Sequence, residues 1–203
     1  GLSLGASAVN EASAIWAALP EKDGAVLLGT GNEGKLLRLK DGKVSVVAET
    51  KALVITSLVE AWGGTVVMGT MPDGKVMKLD RGKVTDLVSI KGVEHIWSVA
   101  FDKKSNSVFA ATGPEGKLYR VDQNGTAQVY FDAAEQHLMS VAVAPDGTVY
   151  AGASEKAKLY KITGPGRGSV MHDFGRTEVR AISVTPKGVV YAIANEIQSG
   201  FYA

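Results

Sequence analysis

Cysteine is absent from the 203 residues of the chain. The protein therefore has no disulfide, no thiolate metal site and no cysteine nucleophile, although this absence does not decide between an oxidising and a reducing compartment. An excess of one charge is also missing, because 22 Lys and Arg face 21 Asp and Glu and leave a net charge of +1. No whole-molecule field attracts nucleic acid or an anionic membrane, and we expect no nucleic-acid partner.

Long apolar runs are missing as well. No window approaches the roughly 18 consecutive apolar residues that indicate a membrane-spanning helix, so we expect no transmembrane segment. The first residues, GLSLGASAVNEASA, lack an initiating methionine and the basic-then-apolar layout of a secretion signal. We therefore expect that the sequence begins inside a longer gene product.

Glycine, in contrast, is abundant, and it belongs to a repeated phrase. The stretch GPEGKLYRVDQNG (113–125) recurs as GNEGKLLRLKDG, MPDGKVMKLDRG and SEKAKLYKITGPG. Aligned on the residue before the shared lysine, which is Gly34, Gly74, Gly116 or Ala157, the copies are spaced 40, 42 and 41 residues apart. A fixed period of this length is the signature of a repeat protein.

Each period contains four short runs rich in Val, Leu, Tyr and Phe, separated by turn sequences such as PDG, PEG and QNG. These runs predict a four-stranded antiparallel meander. All-β repeats of about 40 to 45 residues with four strands are typical of propeller blades. Helical repeats would show apolar residues at helical spacing and would not tolerate such frequent glycine turns. We predict an all-β fold, a β-propeller, with a β-sandwich or barrel as the alternative.

The sequence predicts five inner strand pairs within a single domain. Four blades cover about residues 14–49, 54–90, 95–132 and 137–174, and the fifth, 178–203, is incomplete. Either the early stretch LSLGASAV closes the fifth blade as a borrowed outer strand, or the chain is part of a larger ring of about six to eight blades.

The repeated pattern GTG-x-x-GK-[L/V]-x-[R/K]-[L/V] resembles that of bacterial propeller repeats related to WD-repeat, quinoprotein and gluconolactonase-type propellers. The resemblance covers residues 14–194 and implies the fold. The Trp-Asp and Gly-His pairs of WD repeats are missing, as is the kelch pattern, so no catalytic or binding residue is carried over. From the resemblance alone, an exported or periplasmic location is favoured.

Positions that recur between the copies indicate the scaffold. A small residue recurs inside each inner strand, where the sheets converge on the axis and large side chains would clash. These residues are Ala17, Ser57, Ser98, Ser140 and Ala181. Gly34, Gly74 and Gly116 are predicted to serve turns, because a phosphate-cradling loop needs a strand-to-helix context that is absent.

Positions that vary between the copies are the candidates for a site. The inner strands begin with different residues, including His95, His137 and Glu178, and two positions later on the same strand face come residues that include Trp97 and Arg180. Turns at the same end of the ring carry one carboxylate per blade, namely Glu33, Asp73, Glu115 and Glu155. We predict that all these residues belong to one ligand- or partner-binding face.

Two interpretations of this face are open. It is a polar pocket whose two imidazoles and carboxylate hold a divalent metal or orient a ligand, or it consists of ordinary acidic turns and surface histidines. Trp97 and its counterpart Trp16 are either contact hot spots or fillers between blades. Arg180 is either an anion clamp or a partner in a salt bridge.

We predict from these features a non-catalytic binding or scaffolding propeller that presents one rim face to a protein, peptide or glycan partner. No HExxH motif occurs, and no cofactor is indicated. The alternative is a propeller enzyme of the lactonase, lyase or quinoprotein kind with a metal or cofactor in the central channel. A further hypothesis is self-association, in which another chain completes the fifth blade.

Overall fold

The computed structural model describes residues 8–196 and 200–202. These residues form antiparallel meanders that follow one another along the chain, giving four sheets of four strands and a last sheet of three. The predicted β-propeller is thereby confirmed. Within the same residues, no helix has the length and apolar character needed to cross a membrane.

Each blade runs from an inner strand at the axis to an outer strand at the periphery. The inner strands are β1 (Ala14–Pro20), β5 (Val54–Glu60), β9 (His95–Asp102), β13 (Leu138–Val143) and β17 (Glu178–Val184). The second strands are β2 (Val26–Gly31), β6 (Val66–Met71), β10 (Ser107–Gly113), β14 (Val149–Ala153) and β18 (Val190–Asn195). The third strands are β3 (Lys35–Lys40), β7 (Lys75–Asp80), β11 (Lys117–Val121), β15 (Lys158–Gly164) and β19 (Gly200–Tyr202). The outer strands are β4 (Lys43–Glu49), β8 (Lys83–Ser89), β12 (Ala127–Asp132) and β16 (Arg167–Asp173), and a 3-10 turn at Trp62–Gly64 follows β5.

The apolar core lies between the blades, because a lone four-stranded sheet leaves both its faces uncovered. Its buried side chains fall into four clusters, each shared by two successive blades. In the largest, Phe109 and Leu118 of the third blade pack with Leu138 and Tyr160 of the fourth. The second strands of the first four blades are buried on both faces, which explains why they read as continuous apolar runs.

Small residues in the second strands let the next blade approach. A Cβ atom added to Gly69 would lie 2.9 Å from Ile96 Cγ2, and one added to Gly152 would lie 2.6 Å from Val179 Cβ. Both contacts are tighter than side chains accept without a shift. These glycines therefore leave room for the inner strand of the next blade to pack closely.

Among residues 8–196 and 200–202, the facing sides of the fifth and first blades leave apolar side chains exposed. Ile15 is 43% exposed, whereas its counterparts on the other four inner strands are fully buried against the preceding blade. Ile193, 38% exposed, occupies the position that Gly69 and Gly152 hold in their blades. The early stretch LSLGASAV, proposed above as a borrowed strand, lies almost entirely outside the described residues. The hypothesis of self-association through the fifth blade stays a prediction.

The repeated Gly-Lys turns fasten each blade to the connection that leads to the next blade. The Gly116 N–H donates to the Gln136 carbonyl (2.6 Å), and the Gly116 carbonyl accepts from the Ala133 N–H (3.2 Å). Gly34 makes the equivalent pair of bonds with Leu53 and Thr50. These glycines have positive φ angles, which glycine adopts at no steric cost. The phrase repeated in the sequence is thus a clasp between blades.

A buried carboxylate reinforces the same connection between the third and fourth blades. Glu135 is only 6% exposed, and its Oε1 accepts from Lys158 Nζ (2.7 Å) and from the Tyr160 hydroxyl (3.0 Å). Burial alone would raise the pKa of Glu135, but the bonds from Lys158 and Tyr160 outweigh it and hold that pKa below its ordinary value. Burial and the bond to Glu135 raise the pKa of Tyr160 to about 12.

Candidate functional site

The start of every inner strand lies at one end of the propeller, which we name the rim face. The register pairs His95 with Gly113 and Glu178 with Asn195, so the first residue of the inner strand meets the last residue of the second. The turn that follows each second strand is therefore at the same end. The rim face consists of the inner-strand starts and of the turns that contain Glu33, Asp73, Glu115 and Glu155.

One residue of every inner strand is skipped by the ladder of strand pairs. In the first blade Ile15 pairs with Thr30 and Ala17 with Gly29, which leaves Trp16 without a partner in register. The other four blades repeat this β-bulge at the equivalent position. The skipped residues are Trp16, Thr56, Trp97, Met139 and Arg180. A bulge bends its strand and redirects a side chain, and bulges are over-represented next to functional sites.

The five bulged residues line a cavity of about 160 Å³ on the propeller axis, which we name the axial cavity. Ser57 and Ser98 complete its lining. Although the flanks of the first and last blades are not packed together, their bulged residues meet here, with the Arg180 guanidinium carbon 5.9 Å from the centre of the Trp16 ring. Trp16 and Trp97 both line this cavity.

The two serines of the axial cavity also tie neighbouring blades together. The Val99 N–H donates to Ser57 Oγ (3.0 Å), and the Val141 N–H donates to Ser98 Oγ (3.3 Å). Each serine oxygen therefore acts as an acceptor for the inner strand of the next blade. Small size explains only part of this recurrence, because the hydroxyl also satisfies a backbone group at the exposed inner edge of a sheet.

His95, Trp97 and His137 form a compact cluster where the axial cavity opens on the rim face. The Trp97 indole Nε1–H donates to His137 Nδ1 (3.1 Å), and the His95 ring stacks on Trp97 with 5.0 Å between ring centres. The two imidazoles are 5.8 Å apart. His95 Nδ1 is buried and makes no hydrogen bond within the part of the chain that the structure describes. Within the described residues, the cluster thus places an imidazole nitrogen that makes no hydrogen bond beside an indole N–H that is hydrogen-bonded.

The surroundings keep His137 neutral. Burial lowers its pKa below the ordinary value, and the neighbouring His95 lowers it further, while the carboxylates of Glu155 and Glu94 act in the opposite direction. A neutral imidazole suits the bond from Trp97, because Nδ1 accepts only when it carries no proton. The network is therefore intact at neutral pH.

Acidification is expected to release Trp97. The folded state lowers the pKa of His137, so the stabilisation from the bond is complete above the ordinary value of 6.5 and is lost as pH falls through the lower folded value. In an NMR pH titration, the Trp97 indole N–H signal should move with a midpoint below 6.5. His137→Gln should abolish this transition. A midpoint above that value, or a transition that survives in His137→Gln, would contradict the assignment.

The acidic residues predicted for the site lie on the rim face but do not converge. The Glu33 carboxylate accepts from the Ser13 hydroxyl (3.1 Å), and Glu115 pairs with Lys117 (2.6 Å). Glu178 accepts a long bond from the Asn195 amide (3.4 Å). Of the four turn carboxylates, Glu155 is the one that affects the pKa of His137.

The described residues of the rim face therefore do not provide the ligands that a metal site would need. Over residues 8–196 and 200–202, no three His, Asp or Glu side chains come close enough together to hold a metal ion. His95 and His137 are neighbours, but Glu178 is engaged with Asn195 in its own blade. The structure brings together two of the three residues that the sequence grouped.

Sequence reasoning missed three features of the site. The bulges leave no mark in strand propensity, since the skipped positions hold residues as different as Thr56 and Arg180. Glu94, which faces His137, precedes its strand by one residue and has no counterpart in the repeat pattern. The second role of Ser57 and Ser98 was also unseen, although the change from alanine to serine in the central blades was a usable signal.

Comparison with known proteins identifies the architecture and no family. No protein-family model matches the chain, and a search of curated proteins finds no relative. Solved structures do match it. A chain of the nidogen/laminin complex superposes with a TM-score of 0.70 at 13% identity, over 84% of this chain and 70% of that one.

Two lyases are also similar in structure. A streptogramin B lyase matches with a TM-score of 0.77 at 13% identity, over 94% of this chain and 69% of the lyase. A catalytically inactive virginiamycin B lyase from Staphylococcus aureus, solved with quinupristin, matches with a TM-score of 0.79 at 10% identity, over 97% and 72%. These neighbours are propellers of both binding and enzymatic types, and at such identities the likeness shows the fold alone.

Proposed function

We propose that this β-propeller is a non-catalytic binding protein that takes a peptide segment of a protein partner on its rim face, over the axial cavity. The observation that carries the proposal is the array of five bulges. The same backbone device recurs in every blade, while the residue that it presents varies, with tryptophan in two blades and threonine, methionine and arginine in one each. A uniform scaffold that presents four kinds of side chain to one cavity is an arrangement for recognising an asymmetric ligand.

The side chains at the cavity mouth support a protein or peptide partner. Tryptophan and arginine are the residues most enriched among interface hot spots, and they act where a ligand fully desolvates them. Trp16, with 41% of its surface exposed, and the partly exposed Trp97 have apolar rings open to a ligand. His95 adds a polar atom without a partner. The match to a chain of a two-protein complex is consistent with this use of the fold.

Selection from a random peptide library tests the proposal. Peptides displayed on phage are enriched on the intact chain, and their affinities are then measured for the intact chain and for Trp97→Ala. Removing a hot-spot tryptophan costs about 2 kcal/mol or more, so binding should weaken by about 30-fold. Trp62→Phe is the matched control, because Trp62 lies beyond β5 at the opposite end, where its indole N–H bonds to the Asn106 carbonyl.

The outcome is decisive in either direction. Peptides that lose affinity on Trp97→Ala and on His137→Gln, but not on Trp62→Phe, support binding at the rim face. Peptides that bind all variants equally, or failure to enrich any peptide, would rule it out. The second variant guards against misfolding of Trp97→Ala, and thermal unfolding of each variant confirms that it is folded.

A propeller enzyme is the second candidate, and the neutral His137 is the observation that favours it. An imidazole with a depressed pKa at a cavity mouth suits a general base. Against this, His137 Nδ1 is already occupied by the indole of Trp97. Mass spectrometry of the selected peptides after incubation distinguishes the two functions. Unchanged peptide masses support binding, and products that fail to form with His137→Gln support catalysis.

A further inference from the structure

The axial cavity offers hydrogen-bond donors and no competing carboxylate. Arg180 is its one charged residue, and no carboxylate among residues 8–196 and 200–202 lies within ion-pair distance of this guanidinium. Its contact within that part of the chain is with the Trp16 ring. The sequence left two interpretations of Arg180 open, and the salt bridge is not formed within the described residues. A guanidinium held over an aromatic ring keeps its five donors for another group.

The hydroxyl groups add to this donor set. The oxygens of Ser57 and Ser98 already accept backbone N–H groups of the neighbouring blades, as described above. Each hydroxyl proton is consequently available to donate, since a hydroxyl that accepts one bond still carries its own O–H. Thr56 differs, because its hydroxyl donates to the Ile96 carbonyl. Two hydroxyls and one guanidinium therefore share a cavity whose remaining lining consists of Thr56, Met139 and the two indole rings.

We infer that the axial cavity binds a carboxylate, and that this carboxylate belongs to the peptide that the rim face binds. That the carboxylate comes from a peptide rests on the proposed function. That the cavity binds a carboxylate rests on the cavity's own residues. A carboxylate is planar, accepts from guanidinium in a two-point geometry and has lone pairs left for hydroxyl donors. The volume of about 160 Å³ equals roughly five waters at about 30 Å³ each, which suits such a group.

The flat walls strengthen the choice of a carboxylate over a tetrahedral anion. Trp16 and Trp97 enter the cavity from the first and third blades, and the Arg180 guanidinium lies over the Trp16 ring, 5.9 Å from its centre. Arginine with a planar carboxylate forms parallel paired bonds that fix orientation as well as charge. A phosphate would need additional donors for its third and fourth oxygens, and the described lining contains no lysine or second arginine.

The experiment is an NMR titration of the three tryptophan indole N–H signals with acetate at constant ionic strength. Two signals report the axial cavity, and that of Trp62 is an internal control at the opposite end. Acetate should shift the signals of Trp16 and Trp97 saturably, whereas neutral acetamide should not. Arg180→Gln should weaken the response by about tenfold or more. Arg120→Gln, which removes an exposed arginine of β11, is the charge-matched control and should leave it unchanged.

Several results would overturn the inference. These are the absence of a saturable shift, an equal response to acetamide, an unchanged response in Arg180→Gln, or binding of inorganic phosphate about tenfold tighter than acetate. The test is separable from that of the proposed function. If selected peptides bind equally well after every carboxyl is amidated, the peptide function stands and this inference fails. If acetate binds through Arg180 but no peptide is enriched, carboxylate binding by the axial cavity stands, and both the peptide function and the peptide source of the carboxylate fail.

Discussion

Replacing Gly116 with alanine is expected to lower the free energy of unfolding by about 3 kcal/mol or more. Gly116 has a φ of +44°, and a Cβ atom built on it would lie 2.0 Å from the Glu135 carbonyl oxygen. Left-handed backbone costs a non-glycine residue about 1 to 2 kcal/mol, and forcing the connection away costs a further 1 to 3 kcal/mol. Unfolding in denaturant measures the loss as a lower midpoint concentration, with an unchanged slope of the free energy of unfolding against denaturant concentration.

Gly42→Ala is the matched control for this prediction. Gly42 also has a positive φ, of +73°, but a Cβ atom there meets nothing within 4 Å. It should cost only the backbone strain, about 1 to 2 kcal/mol. Equal losses for the two variants would show that the clasp contributes nothing. Ala157 holds the equivalent position of the fourth blade, and there one bond to the connection, from the Phe174 N–H to the Ala157 carbonyl, is seen in the described residues.

Replacing Glu135 with alanine is the second change expected to have a large effect, a loss of about 3 kcal/mol. The substitution leaves the buried Tyr160 hydroxyl and the Lys158 ammonium without their shared acceptor. Chemical denaturation at neutral pH measures the loss. Glu135→Gln is the comparison, because its amide oxygen still accepts from Tyr160 while the negative charge is gone, and it should lose less.

The stabilisation that Glu135 provides is also expected to be lost at low pH. The folded state lowers the pKa of this carboxyl, so its stabilisation is complete above the ordinary value of 4.5 and disappears as pH falls through the lower folded value. The stability difference between the intact chain and Glu135→Gln should therefore shrink in acid below about pH 4.5. A difference that stays constant across this range would show that the charge is not responsible.

Much of the fold was predictable because the repeat exposes it. The period of the Gly-Lys turns gives the blade, and the apolar runs give strands that begin where expected at Val54, His95 and Glu178. The strand of the fourth blade begins at Leu138, one residue after the predicted His137. A third strand of the fifth blade, Gly200–Tyr202, was not predicted, because three residues are too few to show a pattern.

The site was predictable only in outline. Comparing copies within one chain separates varying from recurring positions, and this placed His95, Trp97 and Arg180 near one another. It does not reveal which side chains meet, because that depends on register and on distances across blades. Glu178 illustrates the limit, since its variable position indicated a ligand while its carboxylate is engaged by Asn195. Glu135 is the converse case, a buried acid in a stretch whose sequence reads as an exposed turn.

The bulges affect how the sequence of such a chain can change during evolution. A residue that no neighbouring strand pairs with is not held by the strand register, and tryptophan, threonine, methionine and arginine all occur at this position on the same backbone. Five such positions surround one axis, and twenty residue types at each give a very large number of distinct cavities on an unchanged ring. Under the proposed binding function, substitutions at the bulged positions would change what the axial cavity recognises without changing the strand register.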